Sequence, residues 1–333
     1  MRLLWLSTAG CAVFPVPDAS PPAVFDALWD DFDRHYGLFG VKPQVDWDDQ
    51  YDALRPRVRQ GTSDPALAEV LRDLLEPLDD DHVYFSDLTD DGELWTSWEA
   101  PREQSLVDLD IIAAGVSDWQ DAEDFVSWGR LGGDVGYLRI HHFAGTDGPR
   151  WLAGAFADLS DVSGLVVDIR DTPGGFDGVA AQLAGCFARA ETPFLTVRLR
   201  AGPDRGDFDE PIRTSVVPDP SCAWRRPVVL LTDAFTVSAG EVFSLAMVDL
   251  PGVKHVGEAT TGSFSDAIGR ELPNGWVYGV SVGDWRDEND VSYEGAGVQP
   301  EVDVVNTVEA QSDGRDLAIE VAEAEVRAMA SEG

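Results

Sequence analysis

Lysine is nearly missing from this chain: Lys42 and Lys254 are the only two in 333 residues. Basic residues number 24 in all against 61 acidic ones, a net charge of −37. A field of that sign repels nucleic acid and anionic membrane, so neither is expected as a partner. Cysteine is scarce too. Cys11, Cys186 and Cys222 allow one disulfide at most, with one thiol left over. No C-x-x-C pair or Cys/His cluster at zinc spacing occurs, and no metal or other cofactor is expected. Beyond the N-terminus no apolar run approaches the roughly 18 residues of a membrane span.

What is present is a large folding chain. Hydrophobic residues make up 44% of it, enough to fill one large core or two ordinary ones. The acids are scattered among apolar positions and read as a solvated outer shell. Such a shell suits an organism working at high salt, where self-repulsion is screened, and it predicts a melting temperature that falls as salt is withdrawn. An equal melting temperature in low and molar salt contradicts that reading.

Residues 1–20 carry two readings. Arg2 followed by LLWLSTAGCAVFPV resembles a clipped signal sequence, and LSTAGC a lipoprotein cleavage box with Cys11 as the lipidated residue, which would export the protein to the cell envelope. Against this, the apolar run is short and Thr8 stands where such boxes carry leucine. A buried first strand of a cytoplasmic protein fits equally well.

Residues 21–92 read as a helical N-terminal domain. Phe25, Leu28, Trp29 and Phe32 fall at helical spacing, Trp47 opens a second helix that Pro56 should end, and Pro65 to Leu75 makes a third. The unit closes on LLEPLDDDHVYF, where His82 stands at a turn entering a strand. Residues 93–333 then alternate strands and helices as an α/β domain. In Glu93–Trp128, LVDLDIIAAGV reads as strand, Val135–Phe143 as a clear strand, and Ala201–Trp224 as a long polar loop. His141 and His142 read as strand-end residues without chemistry.

Two stretches carry chemistry. In GLVVDIRDTPGGF a strand runs into Pro173-Gly174-Gly175, where backbone can approach whatever lies at the strand end. Its glycines fit neither nucleotide-binding spacing, G-x-x-x-x-G-K-[ST] or G-x-G-x-x-G. In VVLLTDAFTVSAGEVF a doubly buried strand leads through a polar turn to a helix starting near Ser238. A serine there faces the unpaired N–H groups and positive dipole end of the helix, which suits acyl transfer. Equally, Ser238 and Glu241 spell a capping box, which needs no catalysis.

The order GYLRIHHF, LVVDIRDTPGGF, VVLLTDAFTVSAGEVF, VGEATTGSFSD, LPNG and YEGAGVQPEVDV resembles the serine peptidases related to tail-specific (C-terminal-processing) peptidase and tricorn protease, over about Val135 to Val305. Interphotoreceptor retinoid-binding protein shares that fold. The resemblance implies an α/β (α+β) fold with a crotonase/ClpP-like β-β-α core behind a small helical domain. It implies Ser238 as nucleophile. One branch carries a lysine base after the glycine of its GExTxG segment, but here Ser263 follows Gly262, and Lys254 is a poor substitute. The tricorn-like branch uses histidine and glutamate, which match His82 and Glu294. A serine precedes the histidine in that branch, and Asp81 stands there in this chain.

The same resemblance implies an oxyanion hole from the N–H groups of Gly174 or Gly175 and of Ala239. Asp168 and Arg170 read as structural partners, and Glu241 as a cap. Residues 95–131 are too few for the PDZ module that such peptidases often insert, since a domain needs about 50 residues. Peptide or protein tails are the implied substrates, basic or neutral ones being easier for so acidic a surface. A member that binds peptides or an apolar ligand without catalysis is the second class.

Overall fold

In the computed structural model, which describes residues 17–88, 94–100, 102–145 and 147–332, the helical spacing of the N-terminal third becomes Pro21–His35 (α1), Trp47–Leu54 (α2) and Asp64–Leu75 (α3). Asp46 caps α2 by accepting the Asp49 N–H, and Pro56 lies in the single 3-10 turn that ends it. Short strands Tyr84–Ser86 (β1) and Trp95–Thr96 (β2) follow. The Cys11 reading of the N-terminus falls outside the described residues.

From there the chain builds Leu109–Gly115 (α4), Val116–Ala122 (β3), Val126–Leu131 (β4), Val135–Ile140 (β5), Gly148–Asp158 (α5), Leu165–Asp168 (β6), Asp177–Ala184 (α6), Thr192–Leu199 (β7) and Ile212–Val216 (β8). It closes with Val228–Thr232 (β9), Ala239–Val248 (α7), Val253–Gly257 (β10), Ala267–Glu271 (β11), Val277–Ser281 (β12), Gly283–Arg286 (β13), Val302–Asp303 (β14), Val308–Ser312 (α8) and Leu317–Glu332 (α9).

A seven-stranded sheet in the order β14-β10-β9-β6-β5-β4-β3 organises this α/β part. β5, β6, β9, β10 and β14 run parallel, and every residue of β6 and β9 is buried, as expected of strands covered on both faces. One face packs on α5, α6 and α7 through residues such as Leu152, Leu183 and Phe243. The other takes α4 and α9 through Ile112, Ile319 and Val326. The N-terminal helices do not close their core alone: Leu272, Trp276, Tyr278 and Val280 from the β11–β12 hairpin complete it, and β1 pairs with β12. A third sheet, β13-β7-β8, adds Leu195, Val216 and Trp285 to the core under α5, α6 and α7.

Two expectations are corrected. LDIIAAG is helix α4, because the Asp108 side chain caps it by accepting the N–H groups of Asp110 and Ile111. The polar stretch 201–224 contains strand β8, whose Ile212 and Thr214 lack apolar alternation but gain a ladder from β7. Cys186 and Cys222 form a disulfide that closes a 36-residue separation spanning both β7 and β8.

Candidate active site

β6 and β9 are neighbours and parallel, with Val167 opposite Leu230, so the turns leaving their carboxyl ends lie side by side. This topology brings the Pro-Gly-Gly turn against Ser238. A Cβ added at Gly174, whose φ is +89°, would fall 2.8 Å from the Ser238 Cβ and 3.1 Å from the Ala239 nitrogen. Gly175 packs equally tightly on Phe143, whose N–H donates to the Gly174 carbonyl at 2.8 Å. The Val237 N–H donates to the Thr172 carbonyl and pins the two turns together.

Ser238 precedes α7 with φ +56° and ψ −120°, a backbone state that costs a non-glycine residue of order 1–3 kcal/mol. The N–H groups of Gly174, Gly175 and Ala239 meet no acceptor among the described residues. Unpaired N–H groups beside the positive end of a helix are the kind of donor that stabilises a negatively charged oxygen. The structure therefore brings Ser238, Gly174, Gly175 and Ala239 into one cluster.

Glu241 is buried and does more than cap. Its carboxylate accepts the Ser238 N–H at 3.2 Å, the Thr260 hydroxyl and Gly262 N–H at 2.6 Å each, and the Ser263 N–H at 2.7 Å. Burial pushes its acid up to about 7 against the pull of those donors. Ser263, standing where a dyad lysine would be, thus contributes backbone to this clamp. From it the chain runs on past Phe264, whose N–H donates to Glu294 Oε2 at 2.8 Å, to Asp266, whose carboxylate feels the charge of His82. Ser263 to Asp266 spans at most about 11 Å of extended chain, so this segment ties the serine turn to the histidine loop.

His82 stands at the entry to β1, held by its N–H donating to Asp80 Oδ1 at 2.9 Å. Its Nδ1 is buried and meets no hydrogen-bond partner among the described residues. Asp81 is raised by burial and pulled back by the adjacent imidazole. Glu294 lies nearby but contacts something else. Lys42, 5% exposed, donates to the carbonyls of Leu78 and Asp79 at 2.8 Å each and stands 3.1 Å from Glu294 Oε1, a charge contact outside hydrogen-bond alignment. Burial pushes the Glu294 acid up to about 8, Asp80 adds to that, and Lys42 opposes it. Asp80 sits between the two groups, taking the Tyr36 hydroxyl at 3.1 Å on its other oxygen. Among the described residues no contact joins Glu294 directly to the His82 ring.

Sequence reasoning missed Lys42, Asp80 and Tyr36. The one available signal was a lysine in so acidic a chain, inside the apolar stretch GLFGVKPQV. Other candidates fall away. Lys254 pairs with Glu325 of α9 at 2.7 Å. Asp168 and Arg170 pair at 2.7 Å, with Arg170 also 3.0 Å from Asp316 and Arg139 3.4 Å from Asp168. His141 bonds Ser127 at 2.6 Å, and His255 lies buried between Thr232 and the Gln299 carbonyl.

Comparison with known proteins agrees with this geometry. Residues 134–304 match Peptidase family S41, half of the chain. A carboxyl-terminal-processing protease of Synechocystis sp. (strain ATCC 27184 / PCC 6803 / Kazusa) is 26% identical over 209 residues, covering 61% of this chain and 44% of that protein. The chain thus spans under half the length of that relative. A putative peptidase from Parabacteroides merdae ATCC 43184 superposes with a TM-score of 0.85 at 28% identity, over 93% of this chain and 97% of that one. Mature CPAF complexed with lactacystin shares the fold alone, with a TM-score of 0.72 at 12% identity over 94% and 99% of the two chains. A strained serine packed against the Pro-Gly-Gly turn, in this fold and with the family match over residues 134–304, leaves one assignment: the chain belongs to Peptidase family S41.

Proposed function

We propose that this protein is a serine peptidase that cleaves peptides or protein tails through an acyl-enzyme at Ser238, with His82 as general base and Glu294 as a supporting group. The observation that carries the reading is the juxtaposition of Ser238 with the unpartnered Ala239 N–H at the start of α7 and the unpartnered N–H groups of the Pro-Gly-Gly turn. Ser238 Oγ attacks the scissile carbonyl as the imidazole of His82 takes its proton. The carbonyl oxygen becomes an oxyanion and receives the Ala239 N–H and one from Gly174 or Gly175. Collapse expels the amine, which takes the proton back from the imidazolium. Water then repeats the sequence on the ester and frees Ser238.

In this reading Glu294 acts through position rather than charge. Its acid, pushed up to about 8, carries a proton through much of the neutral range, and Asp80 lies between it and the histidine loop. The tricorn-like assignment of His82 and Glu294 rests on this shared cluster and on the motif order. A fluorophosphonate probe tests the proposal. It should label the wild-type protein and leave Ser238→Ala unlabelled, with peptide hydrolysis falling by about 10³-fold or more in the variant. A folded wild-type protein that takes no label over a range of pH and salt would instead be a binding member of the fold.

A further inference from the structure

We infer that a cavity beside Ser238 is the specificity pocket for the residue preceding the cut bond, and that it takes a long basic side chain, arginine or lysine. This rests on the peptidase reading for its role and deepens it by naming the substrate class. The cavity measures about 280 Å³ and lies between α6 and the three-stranded sheet β13-β7-β8. Phe194, Val197, Leu199, Val242 and Trp285 wall it. Val242 is one helical turn beyond Ser238 on α7, and Asp177 follows Gly175 by two residues, so the walls of the cavity reach to within a turn of the serine.

Two carboxylates break this apolar lining, Asp177 at the start of α6 and Asp266. No lysine or arginine pairs with either among the described residues. Asp177 is half-buried and Asp266 stays exposed at the cavity's edge; partial loss of water raises both acids, Asp177 to about 6 with Asp266 repelling it. Asp266 also feels His82, which places the acidic side of the cavity toward the histidine loop. Two buried acids elsewhere in the chain are met by a cation, Asp168 by Arg170 and Glu294 by Lys42. Here the cation is missing, and an entering guanidinium or ammonium would supply it while its methylene stem covers the apolar walls. A glutamate or aspartate would add a third negative charge and be rejected.

The test compares peptides identical except for arginine, citrulline or glutamate before the scissile bond. Citrulline keeps the shape of arginine without the charge. We expect kcat/KM for arginine to exceed citrulline by about 10-fold or more, and that ratio to fall to within about 3-fold in Asp177→Asn and in Asp177→Asn/Asp266→Asn. Because the ratio is taken within one protein, partial misfolding of a variant cancels. Equal rates in the wild type, or a preference that survives the double variant, overturns the assignment. Calorimetry on Ser238→Ala with n-butylguanidinium against n-butylurea separates the two readings. Tighter guanidinium binding that is lost in the double variant supports the pocket even if no peptide is cut. Equal binding of both probes overturns the pocket and leaves the proposed chemistry at Ser238 standing.

Discussion

Two buried ionic clusters in this molecule have opposite charge bookkeeping. Behind the central sheet, Arg139 and Arg170 face Asp168 and Asp316, two cations to two anions, with the Tyr137 hydroxyl donating to Asp168 at 2.8 Å. At the histidine loop, Lys42 alone faces Glu294 and Asp80. Both lie away from water, yet burial acts differently on them. The balanced cluster holds the Asp168 acid down to about 2 because two guanidinium groups outweigh its desolvation, while the unbalanced one lets Glu294 rise to about 8. The difference teaches that burial alone does not decide whether a carboxyl is charged. The count of neighbouring cations does. A fully matched cluster fixes structure, and an under-matched one keeps a proton that can move within the working pH range.

The sharpest way to break the contrast is to remove one cation from each cluster. Arg170→Met leaves Asp168 and Asp316 buried without their main partner and should cost about 3–5 kcal/mol in urea unfolding. A loss under about 1 kcal/mol would mean the cluster is wetter than it looks. Lys42→Met should cost less, about 2–3 kcal/mol, because the stranded Glu294 can take a proton and only the carbonyls of Leu78 and Asp79 lose a donor. Hydrolysis should nevertheless fall more in Lys42→Met than in Arg170→Met when both are assayed folded. Equal losses of rate would place Lys42 among purely structural residues.

The smallest expected effect follows pH. Glu294 has a folded pKa of about 8, above its ordinary 4.5, so its contribution to stability is present below 4.5 and is lost as pH rises through about 8. Asp168 works the other way, its contribution being present above 3.8 and lost as pH falls through about 2. Unfolding free energy measured from pH 5 to 9 should therefore slope downward, and Glu294→Gln should flatten part of that slope while leaving the acid limb unchanged. An unchanged alkaline slope in the variant would show that Glu241 or another buried acid carries it.

The serine half of the candidate site was legible because everything that positions Ser238 is local or set by one strand pairing. A doubly apolar strand, a polar turn and a capping box are readable in the 16 consecutive residues Val228 to Phe243, and the glycine turn announces itself by composition. The histidine half was legible only by motif order. His82 is fixed by Asp80, and Glu294 meets Lys42 across about 250 residues of chain, so no local pattern encodes either contact. The same limit explains the misread elements. β8 owes its existence to pairing with β7, and LDIIAAG turns helical through the preceding aspartate, a cap easily taken for strand alternation.

The twisted backbone at Ser238 has one last implication. Glycine would accept that conformation without penalty, so on the proposed role of Ser238 a chain carrying glycine there would lose the nucleophile while shedding the strain. Against that gain stands the capping box the serine makes with Glu241, so the strain and the cap pull the stability of this turn in opposite directions.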